Sequence, residues 1–245
     1  MIFNQAVYEA ILKKINEGIK KLQENFDAFI DKVNWLISLA KYLAQWLFDR
    51  IQAAVDLLQK AINAVIQLIS KFVEEGFRAP ILFYNNAADW KNNVKHPMKL
   101  YASSVTPDKL VSSVDWEGRA GTYYREAAAD QNPAGEACAT IADQMGTTLN
   151  ACAVAGLAFY TAIGISLAKL IAGLVASAVA ASTVVGAPVA AATSTGTAAL
   201  VTGEIIAASA ALLAFLGTQA STISDVTTAF SDFPFSHWPS GTSRK

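Results

Sequence analysis

The residues whose types suit metal binding or acid/base work are His96, His237, Cys138, Cys152 and the carboxylates Glu126, Asp130, Glu136 and Asp143. Their spacing argues against both uses. His96 precedes a proline and His237 lies in an aromatic tail, so neither belongs to a helix-borne pair. The four carboxylates fall on one helical stretch, where a solvated face is the ordinary reading, and nothing nearby supplies opposing ligands. Cys138 and Cys152 are about 21 Å apart along a single helix at 1.5 Å per residue, so a disulfide between them needs a chain reversal. Two small buried residues on one helix face are expected instead. No Gly-rich phosphate loop, HExxH pair, GxSxG elbow or CxxC pair occurs. The chain is therefore expected not to be an enzyme, and to use no cofactor, no metal and no identifiable small-molecule substrate.

The elements that carry these residues follow from composition and periodicity. Hydrophobic residues make up 53% of the 245 positions and charged ones 16%, against about 45–50% and about 25% in soluble domains. That balance raises the question of a membrane. A net charge of −1 gives no support to a nucleic-acid partner held by phosphate neutralisation.

Residues 19–75 contain neither Gly nor Pro, and Ile15, Ile19, Leu22, Phe26, Phe29, Val33, Leu36, Ala40, Leu43 and Leu47 alternate in steps of 4 and 3. This is an a/d seam. Two consecutive steps of 4, to Ile51 and Val55, shift its frame before Leu58, Ile62, Val65, Ile69 and Phe72 resume it. Such a stutter unwinds a coiled coil locally or marks a hairpin tip. One helix of some 55 residues or two antiparallel helices satisfy the pattern, and the absence of turn residues near 48 favours the single helix. Residues 35–48 (WLISLAKYLAQWLF) are apolar nearly all round and need a cover, being too short to span a bilayer.

Gly76 and Pro80 end this region. Residues 81–113 read as broken helix because Pro97 and Pro107 disfavour helical angles in the residue before them, with TPDKLVSS restarting a helix under a Thr106 cap. From 151 to 224 only Lys169 and Glu204 are charged. Residues 151–181 and 198–216 read as two helices of an apolar hairpin, with 183–196 as its reversal. Ala168, Ala172, Ala176 and Ala180, and Gly203, Ala207 and Ala211, place a small residue at every fourth position and are the expected contacts between backbones. The expected organisation is thus all-α: a long coiled-coil-like N-terminal segment (1–78), a helix-turn-helix region (79–150), an Ala/Gly-rich apolar hairpin (151–230) and an aromatic, Pro-containing tail (231–245), forming an elongated helical bundle.

Residues 110–124 read LVSSVDWEGRAGTYY, and the run Trp116-Glu117-Gly118, followed by Ala120, Tyr123 and Tyr124, resembles the WxG family of helical proteins exported by the type VII secretion system of actinobacteria. The resemblance covers about residues 80–180. The longer N-terminal segment is more similar to larger family members that carry helices before the WxG hairpin. It implies that WxG forms the turn between two antiparallel helices, with Gly118 in left-handed angles and Trp116 packed between the helices as an anchor. On that reading Trp116→Ala costs about 3–5 kcal/mol. The family's export signal, a tyrosine followed four residues later by an acid, is missing: Tyr123, Tyr124 and Tyr160 meet Ala127, Ala128 and Gly164. A partner carrying the signal is one consequence.

The N-terminus shows no basic region followed by an apolar stretch and a cleavage site, so no secretory signal peptide is expected. The resemblance and the apolar hairpin together imply a secreted or cell-surface protein that associates with copies of itself, with a helical partner or with membrane lipid. In layout it is similar to helical pore-forming toxins, without a shared residue motif. Two alternatives stay open. One is a soluble structural or adaptor bundle. The other is a two-span membrane protein, since the uncharged runs 170–203 and 205–224 hold 34 and 20 residues, against about 20 for a span.

Overall fold

The computed structural model describes residues 3–39, 45–106, 108–110, 116–180, 186–229 and 238–239. The fold is an all-α bundle, with no strand among the described residues. The helices are α1 (Gln5–Leu39), α2 (Gln45–Gly76), α3 (Ala79–Asp89), α4 (His96–Ser104), α5 (Arg119–Ala180) and α6 (Gly186–Ala229), with a π-helical segment, Trp90–Lys95, between α3 and α4. They make two compact units: Met1–Ala79 with Ala155–Leu213, and Pro80–Val154 with Ala214–Lys245.

In the first unit the heptad seam becomes the core. Ile15, Leu22, Phe29, Leu58, Val65 and Ile69 are wholly buried, as an apolar stripe at this spacing requires. The expectation of one continuous N-terminal helix is overturned. The Tyr8 hydroxyl donates to the Phe77 carbonyl at 2.8 Å, and Ile30, Val33 and Ile37 face Phe48, Ile51 and Val55 across a cavity of about 190 Å³. α1 and α2 are therefore antiparallel. The physical reason is that two seams of equal period bury each other when the chain folds back, and the frame shift from Leu47 to Val55 lies at that end. Residues 40–44, with Ala40 and Leu43 of the expected seam, lie outside the described residues.

α5 lies alongside α1 and runs in the same direction. Tyr8 meets Tyr160 edge-on at 5.4 Å, Gly18 leaves room for Leu167, and the Lys32 ammonium reaches the Ala178 carbonyl at 3.4 Å. α2 closes on the same stretch: Phe72 packs edge-on against Phe159 at 5.1 Å, and the Tyr160 hydroxyl donates to the Phe72 carbonyl at 2.7 Å.

In the second unit α3, the π segment and α4 run antiparallel to the first half of α5. The Tyr101 hydroxyl donates to Gln131 Oε1 at 2.8 Å, the Asn132 amide donates to the Ala102 carbonyl at 2.7 Å, and Lys95 pairs with Asp143 at 2.8 Å. Pro97 does not break this stretch, contrary to expectation. It sits in the first turn of α4, directly after the widened π turn, where its missing N–H leaves no helical bond unmade. Thr106 and Asp108–Leu110 form a turn, with the Lys109 N–H donating to the Thr106 carbonyl at 2.9 Å. The rest of the expected helix restart, Pro107 and residues 111–113, lies outside the described residues, as do residues 114–115. Of the tail, Trp238 packs on Tyr101 at 5.6 Å between ring centroids, and Pro239 is buried.

Two measurements check the first unit. Spin labels at the exposed positions Lys21 and Ala64, in a Cys138→Ser/Cys152→Ser background, should lie within about 25 Å of each other on adjacent helices; an unbroken helix would put them about 65 Å apart. Burial pushes the Tyr8 phenol far above its ordinary range, with Tyr160 adding to the shift. The neutral phenol is the form the fold stabilises, so this contribution is complete below pH about 10 and declines as pH rises further. Tyr8→Phe should cost about 0.5–1.5 kcal/mol near neutrality and flatten that alkaline decline in urea-unfolding curves. A decline of unchanged slope would mean that another group causes it.

Candidate functional site

The WxG run lies immediately before α5. Gly118 has φ +89°, the left-handed region that the resemblance implies and that glycine enters without steric cost. From there the chain enters the helix: Thr122 donates to the Gly118 carbonyl through its N–H, at 3.1 Å, and through its hydroxyl, at 3.3 Å. The expectation that Trp116 is a buried anchor between two helices is overturned. Its side chain is 49% exposed, with its ring 5.8 Å from that of Tyr124. Arg125 donates to its carbonyl at 3.3 Å. The cause is local. Gly118 reverses the chain one residue before Arg119, so Trp116 folds back over the first turns of α5 itself. Ala120 and Tyr124 are exposed, while Tyr123 is half-buried under the Arg119 guanidinium, 5.9 Å from the ring centroid.

Sequence reasoning missed Gly121. A Cβ there would lie 2.3 Å from the Trp116 carbonyl oxygen, a backbone contact that no L side chain tolerates. Its signal was the second glycine, three residues after the first, in WEGRAG.

The apolar hairpin is α5 paired with α6. α6 begins at Gly186, so residues 186–196, expected in the reversal, are helical. Pro188 falls in the first turn, where it costs no hydrogen bond, and the alanines after it favour helix. Residues 181–185 lie outside the described residues. All seven small residues expected at the contact (Ala168, Ala172, Ala176, Ala180, Gly203, Ala207 and Ala211) are exposed. Buried positions here include Ile163, Ser166, Leu167, Leu170, Leu174 and Ser177 on α5, and Ala187, Ala190, Ala191, Ser194, Ala198, Val201 and Ile205 on α6. The contacts between the two helices run through Ser166, Lys169 and Gly173 on α5, which meet Glu204 and Thr197 on α6, while Leu167 packs on Gly18 of α1. A strict four-residue step drifts about 40° per step around a helix of 3.6 residues per turn, so the every-fourth stripe does not stay on one side of the helix.

Lys169 and Glu204 neutralise each other. The Lys169 ammonium donates to Glu204 Oε1 at 2.9 Å and the Ser166 hydroxyl to Oε2 at 2.6 Å. Outside that clamp the exposed side of α6 carries Val189, Leu200, Ile206 and Leu213 among small residues. The most apolar 18-residue stretch of α6 has a mean hydropathy of 2.0 and is 11% buried.

Among the described residues no three of His, Cys, Asp and Glu are placed to share a metal ion. Glu126, Asp130 and Glu136 are exposed. The Lys95 ammonium, hydrogen-bonded to Asp143, holds that carboxyl below its ordinary range. Cys138 and Cys152 are both free thiols on α5. A groove of about 440 Å³ in the second unit is lined by Asp143, Gln144, Thr147, Thr148, Thr222 and Asp225. Comparison with models of protein families, with curated proteins and with solved structures gave no match.

Gly118→Ala should cost about 1–2 kcal/mol through its left-handed backbone. Gly121→Ala should destabilise more, because a backbone carbonyl has to move. Trp116→Ala should cost only about 1 kcal/mol, half of the ring being in water already. Urea unfolding of the three variants checks the order, and a Trp116→Ala loss above about 3 kcal/mol would contradict its exposure.

Proposed function

We propose that this chain is an exported helical protein of the WxG type whose α5–α6 hairpin engages lipid, the bundle associating with further copies in water. The observation that carries the reading is the uncovered outer side of α6 from Gly186 to Leu213, which is uncharged apart from the neutralised Glu204. Monomers rarely expose contiguous apolar patches beyond a few hundred Å², so a surface of this kind calls for a covering partner. The dimensions suit a bilayer. From Gly186 to the residue before Glu204 the helix is free of charge over about 27 Å at 1.5 Å per residue, against about 30 Å of hydrocarbon core. The clamp of Lys169, Ser166 and Glu204 stands at the base of that stretch, where it limits entry.

Export rests on the resemblance at Trp116-Glu117-Gly118, and the left-handed Gly118 supports it. The exposed Trp116 departs from the family's buried anchor, so the WxG run acts here as the lead-in to α5. Alanine, glycine, serine and threonine dominate the hairpin, and these insert weakly compared with Leu, Ile and Phe. That favours a water-soluble form that transfers to lipid over a constitutive two-span protein. Binding is the activity proposed.

The test is dye release from liposomes by wild type and by Ala172→Asp. Ala172 is exposed, so the substitution leaves the bundle folded while placing a charge on the apolar side of the hairpin. Wild type is expected to release dye, and the variant to keep its melting temperature and lose most of the release. If folded wild type releases none at any pH or lipid composition tried, the membrane reading fails and the structural bundle stands.

A further inference from the structure

The second unit holds a groove that the proposed lipid contact does not use. One wall is the face of α5 with Asp143, Gln144, Thr147 and Thr148, the other the face of α6 with Thr222, Asp225 and Val226, and the volume of about 440 Å³ falls in the range of small-molecule sites. The α5 wall is supported from behind. Gly146 lies about 200° round the helix from both Gln144 and Thr148, and a Cβ there would meet the Ala87 carbonyl of α3 at 3.0 Å.

Thr148 distinguishes this groove from an ordinary gap between helices. It is 6% exposed and lines the groove. Threonines of α5 and α6 commonly return the hydroxyl to the carbonyl four residues back, as Thr140, Thr161, Thr195, Thr202 and Thr222 do at 2.7–3.1 Å. Thr148 makes no such bond, and its hydroxyl has no hydrogen-bond partner among the described residues. A buried hydroxyl without a partner costs free energy. Asp225, on the other wall, likewise has neither ion pair nor hydrogen bond among the described residues. Asp143 differs, since the Lys95 ammonium meets it at 2.8 Å and sets a donor beside an acceptor at the rim.

From this arrangement we infer that the groove binds a neutral polyhydroxylated molecule, a small sugar or a cyclic polyol, through the Thr148 hydroxyl and the Asp225 carboxylate. Charge excludes the other ligand classes. An anion would face the unpaired Asp225, and a cation would approach Lys91, Lys95 and Lys99, which all act on Asp143. The hydrogen-bonding groups have the matching character: threonine hydroxyls and the Gln144 amide both donate and accept, as sugar hydroxyls do, while a carboxylate accepts from them. Val226 and the threonine methyls offer an apolar strip for the ligand's C–H groups. The inference is independent of the lipid contact and of the WxG resemblance, and it assigns the second unit a ligand of its own.

The test is ligand-observed saturation-transfer NMR on the full chain, with glucose, maltose and inositol at millimolar concentration and with putrescine and acetate as charged controls. At least one neutral polyol should receive saturation and neither control should. Thr148→Val keeps the shape of the side chain and removes only the hydroxyl, so it should keep or raise the melting temperature while weakening binding about tenfold. Asp225→Asn, at an exposed position, should weaken binding similarly. A lowered melting temperature for Thr148→Val would show that the hydroxyl serves the fold, and overturns the inference. So does the absence of transfer to all three polyols, transfer to putrescine or acetate alone, or transfer that both variants leave at the wild-type level.

Discussion

An aromatic clamp at one end of the first unit holds its helices in register. Tyr8, Phe72, Phe159 and Tyr160 pack edge-on, with Phe3 against Tyr8, and two phenols donate to the Phe72 and Phe77 carbonyls at the end of α2. Phe77 lies just past the last turn of α2, where a carbonyl has no partner within the helix, so the Tyr8 hydroxyl supplies one there, while Tyr160 adds a bond to a carbonyl of the last full turn. The clamp fixes where α1 begins, where α2 ends and which part of α5 they enclose. Given those three positions, the a/d seams bring Leu22, Phe29, Leu58 and Val65 into the interior.

The α5–α6 hairpin follows a different rule, because it has almost no charge with which to mark an outside. In α1 and α2 charged residues fill the faces that the seam leaves open, so inside and outside differ in chemistry. In α6 the two sides are nearly alike in polarity, and only the 3–4 alternation of Ala187, Ala191, Ser194, Ala198, Val201 and Ile205 distinguishes the buried one. Small side chains there allow close backbone approach, as where Thr197 packs over Gly173. The same lack of contrast leaves the outer side apolar. Lys169 and Glu204 are the only charges between residues 151 and 224, and their pairing leaves neither free to anchor this side in water. The proposed contact with lipid follows from that composition.

How far the chain could be read from its residues depends on contrast of this kind. The helical class, the buried seam of α1 and α2, the end of α2 at Gly76 and the left-handed angle at Gly118 were legible, since charge against apolarity, or glycine against all other residues, gives a large energetic difference. The reversal between α1 and α2 was not, because no Gly or Pro lies near it and the paired seams alone drive it. The every-fourth alanines and Gly203 lie exposed, because an Ala-rich helix offers small-residue stripes in several frames and composition does not choose among them. The cluster of glycine, proline and threonine after residue 182 points to a reversal, yet Gly186 starts α6, because Pro188 is harmless in a first turn. Trp116 was placed between helices by the resemblance, whereas its position two residues before Gly118 lays it back on Tyr124.

The central claim is that the outer side of α6 leaves water when the protein acts. The most direct measurement puts an environment-sensitive fluorophore at Leu200, which is 73% exposed, through Leu200→Cys in a Cys138→Ser/Cys152→Ser background. On addition of phosphatidylcholine vesicles the emission should brighten and move to the blue, with a smaller change of the same sign as protein concentration rises in their absence. Emission that stays at its value in water across both titrations would contradict the account.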